Sequence, residues 1–263
     1  MKRINIISIS IVIAAAAILG FAISYNPEEK NSEMLIVSSK DETLTVNVNY
    51  FDGAIGFLAR PSEEGNYPGV IMIHEWWGLN DNIKDMAREL ATEGYVVLAV
   101  DLHNGEVATT PEKARELVSS LDDEKAVANM KAAAVYLKEQ QGITKLASLG
   151  WCFGGGQSLQ LALSGEQLDA TVIYYGNLEI DQSRLGTIQW PVLGIFGDKD
   201  TSIPVDTVNE FDSALDTLGI ENEVYIYEGV GHAFANPSGM NYAPDQTKDA
   251  WEKTMQFLDK HLK

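Results

Sequence analysis

The stretch Leu149-Gly150-Trp151-Cys152-Phe153-Gly154-Gly155-Gly156 restricts the fold of this chain more than any other. Lys145 to Leu149 reads as a short strand and Gln157 to Ser164 as a helix, joined through Gly-x-Cys-x-Gly. That is the form of a nucleophile elbow with cysteine in place of the usual serine. An elbow residue holds a strained backbone, and small neighbours let strand and helix approach closely. The helix points its N-terminus at the sulfur, and that positive dipole end favours a thiolate. A glycine-rich turn around a buried, inert cysteine satisfies the same pattern. The stretch therefore needs partners elsewhere in the chain before it means chemistry.

The remaining elements supply a frame for such partners. Val70–Ile73 is a continuous apolar run, the pattern of a strand buried on both faces of a parallel sheet, Tyr95–Val100 is the next buried strand, and Ala170–Tyr175 and Pro191–Phe196 are further strands. Glu223–Tyr227 is the last strand. Helical patterns span Asn80–Glu93, Pro111–Leu121, Asp122–Gln141, Val205–Leu218 and Asp245–Leu262. This alternation predicts an α/β fold with a mostly parallel central sheet and helices on both faces. Before it, Met34–Val37, Leu44–Val48 and Ala54–Leu58 are short β-type runs, with an Asp52-Gly53 turn signal between the last two. An antiparallel opening to the domain follows.

The length of 263 residues suits one domain, placed at 34–263, and residues 25–33, with Pro27, Glu28, Glu29 and Lys30, read as a linker. Ahead of it, Lys2 and Arg3 precede an apolar run from Ile4 to Ile23. Residues 1–24 therefore read as a signal peptide or a membrane anchor, with Ala22-Ile23-Ser24 as a small-x-small cleavage site. The expectation is export, with the protein secreted or anchored on the outer face of the membrane through residues 4–23. One cysteine rules out an intramolecular disulfide, and a net charge of −19 argues against nucleic acid as a partner.

In a sheet of this type the chemistry sits at the carboxyl ends of the strands. Glu75, Cys152, Asp200 and His232 each lie just past such an end. His232 closes Gly229-Val230-Gly231-His232, a flexible loop able to bring an imidazole to the sulfur. Asp200 is the candidate to orient that imidazole. Asp198 competes for the role, and the deeper position of Asp200, shortly before Pro204, favours it. An acyl-transfer site also needs an oxyanion hole. The elbow offers the N–H of Phe153, and the loop after Ile73 offers that of Trp76. Trp76, Trp77, Trp151, Phe153 and Phe234 are candidates for aromatic pocket walls, although core packing explains any one of them equally well. His103, after Asp101, is placed to line the cleft, whereas His74 reads as a supporting residue.

Four motifs occur in order. They are His74-Glu75-Trp76-Trp77-Gly78, Gly150-Trp151-Cys152-Phe153-Gly154-Gly155, Gly197-Asp198-Lys199-Asp200-Thr201-Ser202-Ile203-Pro204 and Gly231-His232-Ala233-Phe234. Together they resemble the dienelactone hydrolase family over about Leu58 to the C-terminus. The resemblance implies an α/β-hydrolase fold, a Cys152–His232–Asp200 triad, and hydrolysis of a small-molecule ester or lactone with no metal or organic cofactor. It also implies that Glu75 contacts the thiol and helps to generate the thiolate when substrate displaces it. A carboxylate beside a thiol independently keeps that thiol protonated. Two departures matter. Where the family places arginines that hold a substrate carboxylate, this chain has Asn104 and Gly105, and Asn236. Arginine is the usual bidentate partner of a carboxylate, so the substrate is expected to differ from dienelactone. A thioesterase or peptidase would use the same triad, and a binding protein or thiol sensor would keep the fold without needing it. The intact motif set favours the ester or lactone hydrolase.

Overall fold

The computed structural model describes Phe21–Ser24, Leu35–Ser38 and residues 42–263. The chain opens with four antiparallel strands: β1 (Phe21–Ser24), β2 (Leu35–Ser38), β3 (Thr43–Phe51) and β4 (Ala54–Pro61). The end of the apolar run Ile4–Ile23 thus pairs at a sheet edge, while residues 1–20 and the linker at 25–33 lie outside the described residues. Among the described residues no helix is long and apolar enough to cross a membrane. Asp52 and Gly53 make the β3–β4 turn, where Gly53 has a φ of +82° that a side chain would resist.

From Gly69 onward strand and helix alternate. The elements are β5 (Gly69–Ile73), α1 (Asp81–Thr92), β6 (Val96–Val100), α2 (Pro111–Ser119), α3 (Asp123–Gln140), β7 (Leu146–Trp151) and α4 (Phe153–Leu163). They continue with β8 (Ala170–Tyr174), α5 (Gln182–Leu185), β9 (Val192–Gly197), α6 (Val205–Leu218), β10 (Asn222–Tyr227) and α7 (Pro244–Leu262). The ten strands among the described residues form one sheet in the order β1-β2-β3-β4-β6-β5-β7-β8-β9-β10. Strands β6 to β10 in that order run parallel, and β4 joins them antiparallel. The helix boundaries follow local chemistry. Asn80 caps α1 by accepting from the Ile83 N–H at 3.2 Å, Asp122 caps α3 from Lys125 at 3.0 Å, and Gly219 ends α6 in the left-handed region.

The sheet separates two apolar cores. On one face Ile71, Ile73, Leu98 and Val100 pack with Met130 and Leu137 of α3, Leu159 of α4, and Phe211 and Leu215 of α6. On the other, Val70, Met72, Val97 and Ala99 pack with Ile83 and Leu90 of α1 and Phe257 and Leu258 of α7. Consecutive residues of β5 thus face opposite cores, which is why its sequence is apolar without alternation. Two local readings change. The helix after the elbow begins at Phe153 rather than Gln157, and α5, capped by Asp181, occupies a stretch with no helical pattern. The early start of α4 is set by tertiary contact, because three consecutive glycines oppose a helix by local preference.

The chain runs from β5 outward to β6 and then returns to the other side of β5 with β7. That reversal opens a crevice at the carboxyl ends of β5 and β7. Glu75 follows β5 and Cys152 follows β7.

Candidate active site

Cys152 has φ 55° and ψ −118°, a conformation that L-residues adopt rarely, and it occupies the N-cap position of α4. The surrounding glycines make the turn possible. A Cβ on Gly150 would collide with the carbonyl of Gly154, and one on Gly154 with the carbonyls of Ile73 and His74. The Cys152 N–H donates to the carbonyl of Tyr174 at 2.9 Å, which ties the elbow to β8. The Phe153 N–H, first in α4, donates to no protein acceptor among the described residues, nor does that of Trp76.

The loop after β10 carries His232 to the sulfur. Its Nε2 lies 3.0 Å from Cys152 Sγ, and its Nδ1 lies 2.7 Å from Asp200 Oδ2. The other Asp200 oxygen accepts from the N–H groups of Ser202 at 2.8 Å and Ile203 at 3.0 Å. Burial opposes the Asp200 charge, but the hydrogen bonds from His232, Ile203 and Ser202 outweigh it and hold the carboxyl below the usual carboxylate range. Burial also opposes an imidazolium at His232, yet the bonds to Asp200 and Cys152 push its basicity above the ordinary value. Such a chain can store a proton on the imidazole while the sulfur is charged. Asp198 has another task. It accepts from the Gly229 N–H at 2.6 Å and pairs with Lys199 at 3.0 Å, fastening the loop that bears His232. Asn241 Nδ2 holds the His232 carbonyl at 2.9 Å.

Glu75 is 5% exposed and accepts a short hydrogen bond from Asn236 Nδ2. Among the described residues no hydrogen bond joins it to Cys152. Burial pushes its carboxyl up to about 7, against the opposing effects of Asn236 and His232. Asn236 therefore faces Glu75 rather than an open pocket, and its Oδ1 is used by the Ser238 N–H at 2.9 Å. His74 is fully buried. Its Nδ1 bonds the Glu75 carbonyl at 2.6 Å and its Nε2 accepts from the Leu102 N–H at 3.1 Å, which places the proton on Nδ1. It fixes the backbone on which Glu75 and Trp76 sit.

The aromatic candidates divide. Trp76 and Trp77 are half-buried and pack against Ala108, Ala114 and Leu117 at α2. Phe153 stacks near His74 and His103. Phe234 is not a wall, because it is fully buried between Tyr175 and Tyr227 in the core. Trp151 is 2% exposed and lines a different cavity on the α1–α7 side. Its position on β7 packs it into the core on the α1 and α7 face of the sheet. His103 is buried with neither ring nitrogen bonded, and burial lowers it to about 4, so it is neutral. It borders a cavity of about 250 Å³ beneath α2 and α3, together with Asn104. Asn104 and Gly105 form a left-handed turn that Asp101 clamps through the N–H groups of His103 and Gly105.

Tyr175, which by sequence only ends the run Ala170–Tyr175, follows β8 beside the triad. Its φ is +36°, its ring lies 5.3 Å from that of His232, and its hydroxyl is buried. Burial, with the charges of Glu75 and Cys152 close by, raises the phenol far above its usual range. The signal available was Gly176, whose lack of a side chain lets β8 end against Gly155. Among the described residues no group of three or more His, Cys, Asp or Glu is set to hold a metal ion.

Residues 55–262 match the model of the dienelactone hydrolase family. A Saccharolobus solfataricus protein that carries a provisional carboxymethylenebutenolidase name is 33% identical over 241 residues, covering 77% of this chain and 92% of the relative. A crystal structure from Klebsiella pneumoniae, provisionally a dienelactone hydrolase, superposes with a TM-score of 0.76 at 28% identity, covering 83% of this chain and 99% of that one. A dienelactone hydrolase-like promiscuous phosphotriesterase from metagenomic libraries superposes with a TM-score of 0.78 at 26% identity, covering 84% and 100%.

Proposed function

The chain belongs to the dienelactone hydrolase family, and on that premise we propose that it cleaves a small neutral ester or lactone through Cys152, His232 and Asp200. The observation that carries this reading is His232, bonded at once to the sulfur and to the Asp200 carboxylate. His232 takes the thiol proton, and the thiolate attacks the substrate carbonyl carbon to form a C–S bond. The N–H groups of Phe153 and Trp76 receive the oxyanion. Collapse expels the alkoxide, which takes the proton from His232 and leaves a thioester on Cys152. Water, deprotonated by the same imidazole, then releases the acid and restores the thiol. Asp200 keeps the imidazole in the required tautomer. Glu75 is the carboxylate assigned to thiolate control, with Asn236 and His74 setting its position.

The neutral substrate follows from what replaces the family's arginines. Asn104 and Gly105 are taken up in a clamped turn, and Asn236 is committed to Glu75. None of the three offers a positive charge to a substrate carboxylate.

The test is turnover of p-nitrophenyl acetate and of neutral and carboxylate-bearing lactones by the full chain and by Cys152→Ala. Hydrolysis of the neutral substrates that disappears in the variant supports the reading. Equal turnover by both proteins sinks the cysteine nucleophile, and a preference for the charged lactone sinks the substrate class. We also propose export, supported by Lys2, Arg3 and the apolar run at 4–23. A reporter active only outside the cytoplasm, fused after residue 40, should be active, and a silent fusion contradicts export.

A further inference from the structure

A cavity of about 360 Å³ lies between α1 and α7. Trp151, Tyr174, Tyr242 and Trp251 contribute four rings to its wall. Its charged groups are Asp85 and Glu89 from α1 and Lys248 from α7. Two of these already have partners: Asp85 pairs with Arg88, and Lys248 lies 3.8 Å from Glu252. Glu89 has no ion-pair partner among the described residues. Burial and the neighbouring Glu93 raise its carboxyl, and the Trp251 indole beside it acts the other way. The wall therefore combines a carboxylate that takes a hydrogen bond from Trp251 but has no ion pair with aromatic faces. Rings attract cations through their quadrupole, and an exposed carboxylate without an ion pair offers them a counter-charge.

We propose that this cavity is a second binding site, for a small organic ammonium ion, with Glu89 as its counter-charge and Trp251 and Tyr242 as its ring faces. The volume falls within the range of small-ligand pockets. The site adjoins the catalytic groups through the chain. Trp151 precedes Cys152 in the chain, and Ala235 and Pro237, which also line the cavity, flank Asn236. An occupant packs against the backbone neighbours of the nucleophile and of the residue that holds Glu75.

The test is a titration of the full chain, isotope-labelled at its tryptophan indoles, with choline and with its uncharged carbon isostere dimethylbutanol. Choline should shift the Trp151 and Trp251 indole resonances in a saturable way, and the isostere should bind roughly tenfold more weakly. Glu89→Gln and Trp251→Leu should each weaken choline binding by a similar factor, whereas Cys152→Ala should leave it unchanged. Glu89 is on the surface, so its variant answers the question even if Trp251→Leu fails to fold. No saturable shift, equal binding of choline and isostere, or undiminished binding by Glu89→Gln overturns the proposal. So does loss of binding in Cys152→Ala, which places the ligand in the triad cleft instead. The readout needs no turnover, so it stands or falls separately from ester hydrolysis.

Discussion

Asp198 and Asp200 lie two residues apart on one loop, yet they face different partners. Asp200→Asn should keep the fold and lower kcat by roughly 10⁴-fold, the scale of losing the orienting carboxylate of a triad. Asp198→Ala should keep most of kcat and lower the urea midpoint instead, since it frees Lys199 and the loop N–H groups of Gly229 and Val230. A reversal of that pattern would exchange their roles. Glu75 sets a second residue-scale prediction. Its carboxyl ordinarily titrates at 4.5 and is pushed up to about 7 by burial. Between those values the folded chain holds a proton that the unfolded chain has released. Stability from this group is full below 4.5 and declines as pH rises through 7, by on the order of 3 kcal/mol. His74 and His103 act oppositely, because burial lowers both from 6.5 to about 4 and stability is lost as pH falls through that window. The useful measurement is therefore the difference in unfolding free energy between wild type and Glu75→Gln at about pH 5 and about pH 8. The difference should move by on the order of 3 kcal/mol in favour of the variant at the higher pH. The candidate residues Cys152, Asp200 and His232 were legible because each follows a strand with glycine or a turn beside it. The Glu75–Asn236 bond was not, since its partners lie 161 positions apart and nothing local couples them.

At the scale of elements, packing rather than propensity decides the elbow. Gly154→Ala ought to improve α4 by local preference, by up to about 1 kcal/mol. The structure reverses the sign. The added methyl meets the carbonyls of Ile73 and His74, which belong to the end of β5 and cannot yield without moving the sheet. A net loss of at least about 2 kcal/mol is expected, read by urea denaturation, together with lost turnover. Leu258 of α7, fully buried, makes a conventional contrast: Leu258→Ala should cost about 2–5 kcal/mol with kcat little changed. Most strands and helices were readable because apolar runs and capping residues are local signals, whereas β1 lies in the segment read as a signal peptide or anchor. The start of α4, the short α5 and the strained Tyr175 were not, because each depends on neighbours distant in sequence.

For the whole molecule, the net charge of −19 has a consequence independent of the site. Self-repulsion opposes the compact state, and salt shortens its range to about 8 Å at physiological ionic strength. Raising sodium chloride from low to physiological concentration should raise Tm by roughly 2–4 °C, the shift that about 1 kcal/mol gives a chain of this size. An unchanged or falling Tm would mean that paired surface charges outweigh the excess.

The sequence by itself determined the parallel α/β frame, the strand ends that carry Cys152, Asp200 and His232, and the family resemblance. Those are properties of local periodicity, capping and short motifs. Only the tertiary structure decided which aspartate meets His232, that Asn236 is spent on Glu75, that Phe234 and Trp151 belong to the core, and that a second cavity lies between α1 and α7. Those outcomes depend on where distant segments meet across the sheet, and side-chain pairing of that kind leaves no trace in the spacing of residues along the chain.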